Sequence, residues 1–143
     1  MNIEEARIIS TERAWDGAYI TWFHAPAMTR GVEAGQFVMV HCSTEGLDPM
    51  FARAFSYYRI DGDRFALLYA RVGRGSGWLS EQPPGAPVRM YGPLGNGFTF
   101  PESPANLLLI GGGVGIAPLV DTAERAINAG HHVVAMMGGR TSR

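Results

Sequence analysis

From Met1 to about Pro101 the chain is cut by glycine and proline into short runs rich in β-branched and aromatic residues, and that rhythm restricts it to strands. Ala6 to Thr11 and Ala18 to Phe23 read as a first hairpin across the Trp15-Asp16-Gly17 turn, after which Ala25-Pro26 breaks the pattern. Gln36 to Cys42 alternates, with Phe37, Met39 and His41 on one face and Val38, Val40 and Cys42 on the other. Both faces are apolar, which predicts a strand buried on both sides. A loop from Ser43 to Met50 follows. Ala54 to Ile60 and Phe65 to Val72 then form a second hairpin joined by Asp61-Gly62-Asp63. Ser76 to Glu81 is at most a short helix, stopped by Pro83-Pro84. Pro87 to Tyr91 supplies another strand before a turn over Gly92 to Gly97. Short strands so spaced predict a mainly β first domain, a closed antiparallel Greek-key barrel of six strands.

After Pro104 the grammar changes. Asn106 to Ile110 is a short, mostly apolar run ending at Gly111-Gly112-Gly113-Val114-Gly115, and Ala117 to Ala129 reads as a helix. Leu119, Val120, Ala123, Ala126 and Ile127 recur at three- and four-residue spacing and predict its buried face, with Asp121, Glu124, Arg125 and Asn128 between them. Pro118 suits its first turn and Gly130 its stop. Val133 to Met137 predicts a second buried strand. The expected organisation is therefore a barrel over residues 1–101 and the start of an α/β nucleotide-binding domain, one βαβ unit, over 102–143. A free-standing domain of that kind needs further strands, so the second part reads as unfinished. Its uncovered sheet edge favours pairing with another chain.

Charge and composition remove several classes of function. Lys plus Arg (12) nearly balances Asp plus Glu (13), so no basic field recruits nucleic acid or an anionic membrane. Leu107 to Val120 lacks charge over 14 residues but holds four glycines and a proline, whereas a membrane span needs roughly 20 apolar residues. No secretory signal is legible at the acidic N-terminus, and a cytoplasmic setting is expected. With Cys42 alone, neither an internal disulfide nor an iron–sulfur cluster can be built within the chain.

The chemistry-bearing stretch is Arg53-Ala54-Phe55-Ser56, read with Gly73-Arg74-Gly75-Ser76-Gly77. A permanent planar cation pairs with phosphate oxygens through two parallel bonds. Bare N–H groups at a glycine turn leading into a helix form an anion site. Phe55, two residues beyond Arg53 on the same strand face, can cover a flat heterocycle. Together these groups suit a phosphate-bearing aromatic cofactor. The competing reading is a hairpin with Arg53 in solvent, Phe55 in the core and glycines that only turn the chain.

Five motifs in order resemble the ferredoxin–NADP reductase superfamily and, more narrowly, the electron-transfer subunits of bacterial NAD-dependent dihydroorotate dehydrogenases. They are Gly35-Gln36-Phe37-Val38, Arg53-Ala54-Phe55-Ser56, Leu68-Tyr69-Ala70 leading to Gly73-Arg74-Gly75-Ser76, Gly92-Pro93-Leu94-Gly95-Asn96-Gly97-Phe98, and Gly111 to Leu119. The resemblance implies an FAD-binding barrel followed by an NAD(P)-binding domain. It places Arg53 on the FAD phosphates, Phe55 beside the isoalloxazine or its ribityl chain, and Ser56 near the reactive ring nitrogen. Ala54 stands where the family usually has proline. Leu68, Tyr69 and Ala70 match the second contact strand, Gly75 and Ser76 the phosphate turn, and Gly111, Gly112, Gly113 and Gly115 the dinucleotide turn. A tight turn kept for packing is the other reading of those last glycines.

The resemblance further implies an FAD-dependent oxidoreductase that passes electrons between a dihydroorotate-oxidising catalytic subunit, or another redox protein, and NAD. The family's later nucleotide-binding strands and its cysteine-rich, two-iron segment have no counterpart in these residues, so the chain reads as incomplete for turnover alone. A general ferredoxin- or flavodoxin-linked NAD(P)H reductase and a non-catalytic flavin-binding module are the alternatives. No catalytic side chain and no metal ligand is assigned. His131 and His132 are adjacent strand residues that point to opposite faces, and Ser76 and Ser80 lack a histidine–acid partner pattern.

Overall fold

The structure, a computed structural model, describes residues 1–43 and 51–139. Six strands close the barrel: β1 (Asn2–Trp15), β2 (Ala18–His24), β3 (Phe37–Val40), β4 (Arg53–Asp61), β5 (Arg64–Ala70) and β6 (Pro87–Leu94). Their order is β1-β2-β5-β4-β3-β6, every pair antiparallel. β1 is much longer than the Ala6 to Thr11 run expected. Its first half pairs with β6 and its second with β2, bending at an irregularity between Ile8 and Ser10, and this bend closes the barrel.

A closed barrel has one interior, so each strand can bury only one face completely. Val38, Val40 and Cys42 are fully buried, while Phe37, Met39 and His41 lie half-exposed on the outside, which corrects the expectation of a strand buried on both faces. β6 also runs on to Leu94, past Tyr91, because Gly92 still pairs with Asn2. The loop read over residues 43–50 lies outside the described residues from 44 onward.

The core is Phe23, Phe65, Tyr57, Leu67, Val38, Val40, Val88, Met90, Met28 and Leu79. Phe65 stacks on Phe23 at 5.3 Å between ring centroids and meets Tyr57 edge-on at 5.0 Å. One end is plugged by α1 (Pro26–Thr29), whose first N–H groups, those of Ala27 and Met28, donate to the Glu4 carboxylate at 2.9 and 3.2 Å. The Tyr57 hydroxyl donates to the Met28 carbonyl at 2.7 Å, tying that plug to β4.

These buried acids make the barrel sensitive to alkali. Burial pushes the Cys42 thiol up from 9.0 to about 11 and the Tyr69 phenol from 10.0 to about 12, and it raises Tyr57 further still. The unfolded chain loses these protons from about pH 9 upward, whereas the fold keeps them until about pH 11 or beyond, so the fold binds more protons in between. Stability therefore falls as pH rises through that window. The thermal midpoint should stay level to about pH 8.5 and drop steadily above about pH 9. A midpoint that holds level through about pH 11 contradicts this.

α2 (Arg74–Ser80) caps the side of the barrel and starts two residues earlier than expected. Beyond the barrel, β7 (Asn106–Gly112) leads through a 3-10 turn (Gly113–Ile116) into α3 (Ala117–Asn128), and β8 (His132–Gly138) returns parallel to β7. Leu108 pairs with Val134 and Ile110 with Met136. These four are 47–68 % exposed, and Ala135 and Met137 on the opposite face of β8 are exposed as well, which corrects the expectation of buried strands: one helix leaves one face of this two-stranded sheet bare and covers the other only in part.

α3 also differs from its sequence reading. Its buried residues are Ala117, Asp121, Thr122 and Ala126, and Ile127 is exposed, because the helix packs against the barrel as well as against its own sheet. Among the described residues no helix is long and apolar enough to cross a membrane.

Candidate functional site

The pairing of β4 with β5 ends at Tyr57 opposite Leu67. Beyond that point Arg53 to Ser56 turn to β3, while Leu68 to Ala70 stay with β2. The two strands fork, and strand edges that part in this way leave backbone donors and acceptors for another molecule. α2 sits at the open end of the fork. The resulting pocket, about 470 Å³, is lined by Arg53, Ala54, Phe55, Ser56, Leu68, Tyr69, Ala70, Val72, Gly73, Arg74, Gly75, Ser76, Val114 and Ala117. A smaller hollow of about 320 Å³, bounded by Ile9, Ser10, Trp22, Asp61 and Arg64, shares no residue with it.

Arg53 and the glycine segment meet directly. A Cβ added to Gly75 would lie 3.3 Å from both Arg53 Cγ and Cys42 Cβ, so the arginine stem crosses the first turn of α2 in close contact with the glycine backbone. Arg53 Nη1 donates to the Phe51 carbonyl at 2.6 Å, which steadies the guanidinium at the pocket rim. Its positive charge pulls the Cys42 thiol downward, though burial outweighs it.

The expected glycine turn is the first turn of α2 itself. Gly73 is its N-cap and Gly77 N–H donates to the Gly73 carbonyl at 2.8 Å. Ser76 Oγ accepts from the N–H groups of Val72 (3.0 Å) and Gly73 (3.2 Å) and donates to the Gly73 carbonyl, so this hydroxyl holds the turn closed. What the segment presents to a ligand is its early backbone N–H groups, which lack partners within the helix.

Phe55 and Tyr69 bridge the fork, edge to face, with centroids 5.3 Å apart. The Tyr69 hydroxyl is turned inward, sharing a 2.9 Å hydrogen bond with Thr21, which in turn bonds Thr11 at 3.0 Å. The pocket thus meets the apolar ring of Tyr69 while its polar end is satisfied in the barrel.

Gly111, Gly112, Gly113 and Gly115, matched to the dinucleotide turn of the second domain, do not line this pocket. A Cβ on Gly111 would come within 2.7 Å of Leu119, so Gly111 answers to packing. Gly112 lies in the ladder opposite Gly138, Gly113 has φ +53°, and Gly115 has open space around it. From this stretch it is Val114 and Ala117 that reach the pocket. They and Val72 are lining residues to which sequence reasoning gave no pocket role, while Gly73 and Arg74 lay in the glycine segment but were not assigned individual contacts. Arg74 carried a signal, a second arginine between the two glycines.

The remaining two motifs form a clasp elsewhere. Gly35 has φ +89°, and a Cβ there would sit 2.7 Å from the Phe98 ring. Phe98 N–H donates to the Ala34 carbonyl at 2.7 Å, and Gln36 Nε2 donates to the Gly95 carbonyl at 2.9 Å. The clasp holds the start of β3 beside the end of β6, and Phe37 opposite Ser56 of β4.

No protein-family model matches the chain. Among curated proteins it is 36% identical over 141 residues to the dihydroorotate dehydrogenase B (NAD(+)) electron transfer subunit of Desulforamulus reducens, covering 97% of this chain and 53% of that protein. The subunit of the same name from Geobacillus thermodenitrificans is 32% identical over 142 residues, covering 96% and 55%. The chain is a homologue of these electron-transfer subunits. It spans about half the length of the curated relatives it matches.

Solved structures agree on the fold. An NADH-dependent reduced ferredoxin–NADP oxidoreductase superposes with a TM-score of 0.86 at 26% identity, covering 97% of this chain and 50% of that one. Phthalate dioxygenase reductase gives 0.83 at 17% identity, covering 98% and 44%. The barrel followed by an α/β unit is the ferredoxin–NADP reductase fold. Among the described residues of this electron-transfer-subunit homologue, no group of three or more His, Cys, Asp or Glu side chains is placed to hold a metal ion.

Proposed function

We propose that this chain binds FAD in the forked pocket and serves an electron-transfer protein working between NAD and a dihydroorotate-oxidising partner subunit. The observation that carries the reading is Arg53 lying across Gly75 at the rim of a pocket whose other walls are two parted strand edges. That donor set fits the group. A guanidinium fork and the amides of a helix's first turn neutralise and orient a diphosphate, and a pocket of about 470 Å³ falls in the usual range for cofactor clefts. The homologues are named for electron transfer in an NAD-linked dihydroorotate dehydrogenase, which supplies the reaction class.

When bound, FAD would supply the hydride and electron chemistry. The chain's residues would hold and shield it. Arg53 would carry the charge opposite the diphosphate, and the N–H groups at Gly75 and Ser76 would point to the same oxygens. Phe55 and Tyr69 would keep water from one face of a flat ring. Burial holds the Tyr69 proton until about pH 12, so this wall stays neutral under physiological conditions. Ala54, Leu68 and Ala70 would complete the apolar floor, and Ser56 would offer a hydroxyl beside the ring. In this reading residues 1–101 are the FAD-binding domain and 102–143 the beginning of an NAD(P)-binding one, with Gly111 to Gly115 shaping its first turn. The setting is cytoplasmic.

Titrating the protein into FAD tests this. Flavin fluorescence should be quenched at micromolar protein and the visible absorption should sharpen. Flavin fluorescence identical to that of free FAD at that concentration excludes the reading. Co-purification with a dihydroorotate-oxidising subunit tests the partner.

A further inference from the structure

α3 meets the barrel through polar groups. Asp121 is 5% exposed, and its carboxylate accepts from Arg125 Nε at 2.8 Å. Arg125 Nη1 then donates to the Val32 carbonyl, 93 residues earlier in the chain, at 2.8 Å. Val32, itself buried, lies in the segment between α1 and β3. One arginine thus joins the helix to the barrel, and the buried carboxylate fixes its direction. A second contact, Arg59 of β4 with Glu124 at 3.0 Å, is half-exposed on both sides.

Ala117, Asp121 and Arg125 follow one another at four-residue steps, which places them on one face of α3. At one end this face is the pocket wall formed by Ala117, next to Val114; at the other it is the tie to Val32. The two ends are about 12 Å apart along the helix axis. The helix is rigid over that span, so the seat at Arg125 fixes the wall at Ala117.

We propose that Arg125 is a positioning residue: its bond to the Val32 carbonyl seats α3 on the barrel and holds the Val114–Ala117 wall against the pocket. The seat itself stands on these contacts alone, and its consequence for cofactor affinity rests on the proposed function. The arrangement also explains why the helix turns a polar face to the barrel. Interfaces between units of one chain that are small and polar permit relative motion, and a single directional clamp then decides where the helix rests.

The test compares Arg125→Ala, Arg125→Lys and Arg59→Ala with wild type by amide hydrogen exchange and by FAD dissociation followed by fluorescence. In Arg125→Ala, exchange over residues 117–126 should accelerate by about tenfold or more, while β1, β2 and the melting midpoint of the barrel stay as in wild type. FAD should dissociate several-fold faster. Arg125→Lys should recover part of both effects, since one ammonium can reach the Val32 carbonyl without also holding Asp121. Arg59→Ala should resemble wild type, as exposed pairs contribute little. Unchanged exchange in α3 of Arg125→Ala overturns the seat, and faster exchange with unchanged FAD dissociation overturns the link to the pocket. If wild type binds no FAD, the proposed function fails, and exchange alone decides the seat.

Discussion

Arg53→Ala is expected to weaken FAD binding by about 10- to 150-fold, the equivalent of about 1.5–3 kcal/mol for a lost hydrogen bond to a charged group. The guanidinium stands at the pocket rim with its stem across Gly75 and one nitrogen on the Phe51 carbonyl. It is thus held before any ligand arrives, and little entropy is lost when a diphosphate docks. Riboflavin carries no diphosphate, so its affinity should be the same in variant and wild type. Arg53→Lys should fall between, keeping the charge without the fork. The melting temperature of the unliganded protein should barely move, because the arginine side chain is exposed. Fluorescence titrations with the two flavins measure all of this. Equal FAD affinity in variant and wild type removes Arg53 from the site.

Phe65→Ala is expected to have the largest effect on stability, about 3–5 kcal/mol. Phe65 is fully buried, stacked on Phe23 and edge-on to Tyr57, and it closes the β4–β5 hairpin opposite Ile60. The vacated space lies in a core packed by Phe23, Tyr57 and their neighbours, so its collapse would be only partial. A domain stable by about 5–15 kcal/mol loses a large share of that margin. The thermal midpoint should fall by roughly 10–20 °C, as followed by far-ultraviolet circular dichroism. A fall of less than about 3 °C would mean that the barrel core repacks easily, contrary to the close aromatic contacts. The contrast with Arg53→Ala separates fold from site, since one variant loses stability and the other ligand.

Much of the barrel was legible because closure restricts what strands can do. Trp15-Asp16-Gly17 and Asp61-Gly62-Asp63 mark hairpins on their own, and the alternation at Phe37 to Cys42 locates a strand. The gathering of Arg53 to Ser56, Leu68 to Ala70 and Gly75 to Ser76 around one pocket was expected from the family resemblance. The fork that opens this pocket was not, because it depends on which partner each half of β4 and β5 chooses. Local residue pattern carries no record of that choice.

The extent of α3 was legible, but its most buried face was not, for a different reason. Apolar periodicity assumes that the most apolar stripe is the buried one, yet here Asp121 and Thr122 are buried and Ile127 is exposed. A carboxylate can go inside when an arginine four residues on satisfies it, and no single-residue scale registers that pairing. The glycines at 111–115, read as the dinucleotide turn of the second domain, stand apart from this pocket. Gly111 makes room for Leu119, and the residues that reach the pocket are its neighbours Val114 and Ala117.

The central claim is that one diphosphate is gripped between the Arg53 guanidinium and the opening turn of α2. A crystal structure of the protein with FAD measures this directly. The account requires phosphate oxygens within about 3 Å of both the guanidinium and the amides of Gly75 and Ser76, with the flavin ring running along the fork toward Phe55 and Tyr69. Density that places the diphosphate away from Arg53, or the ring outside the parted strands, contradicts it.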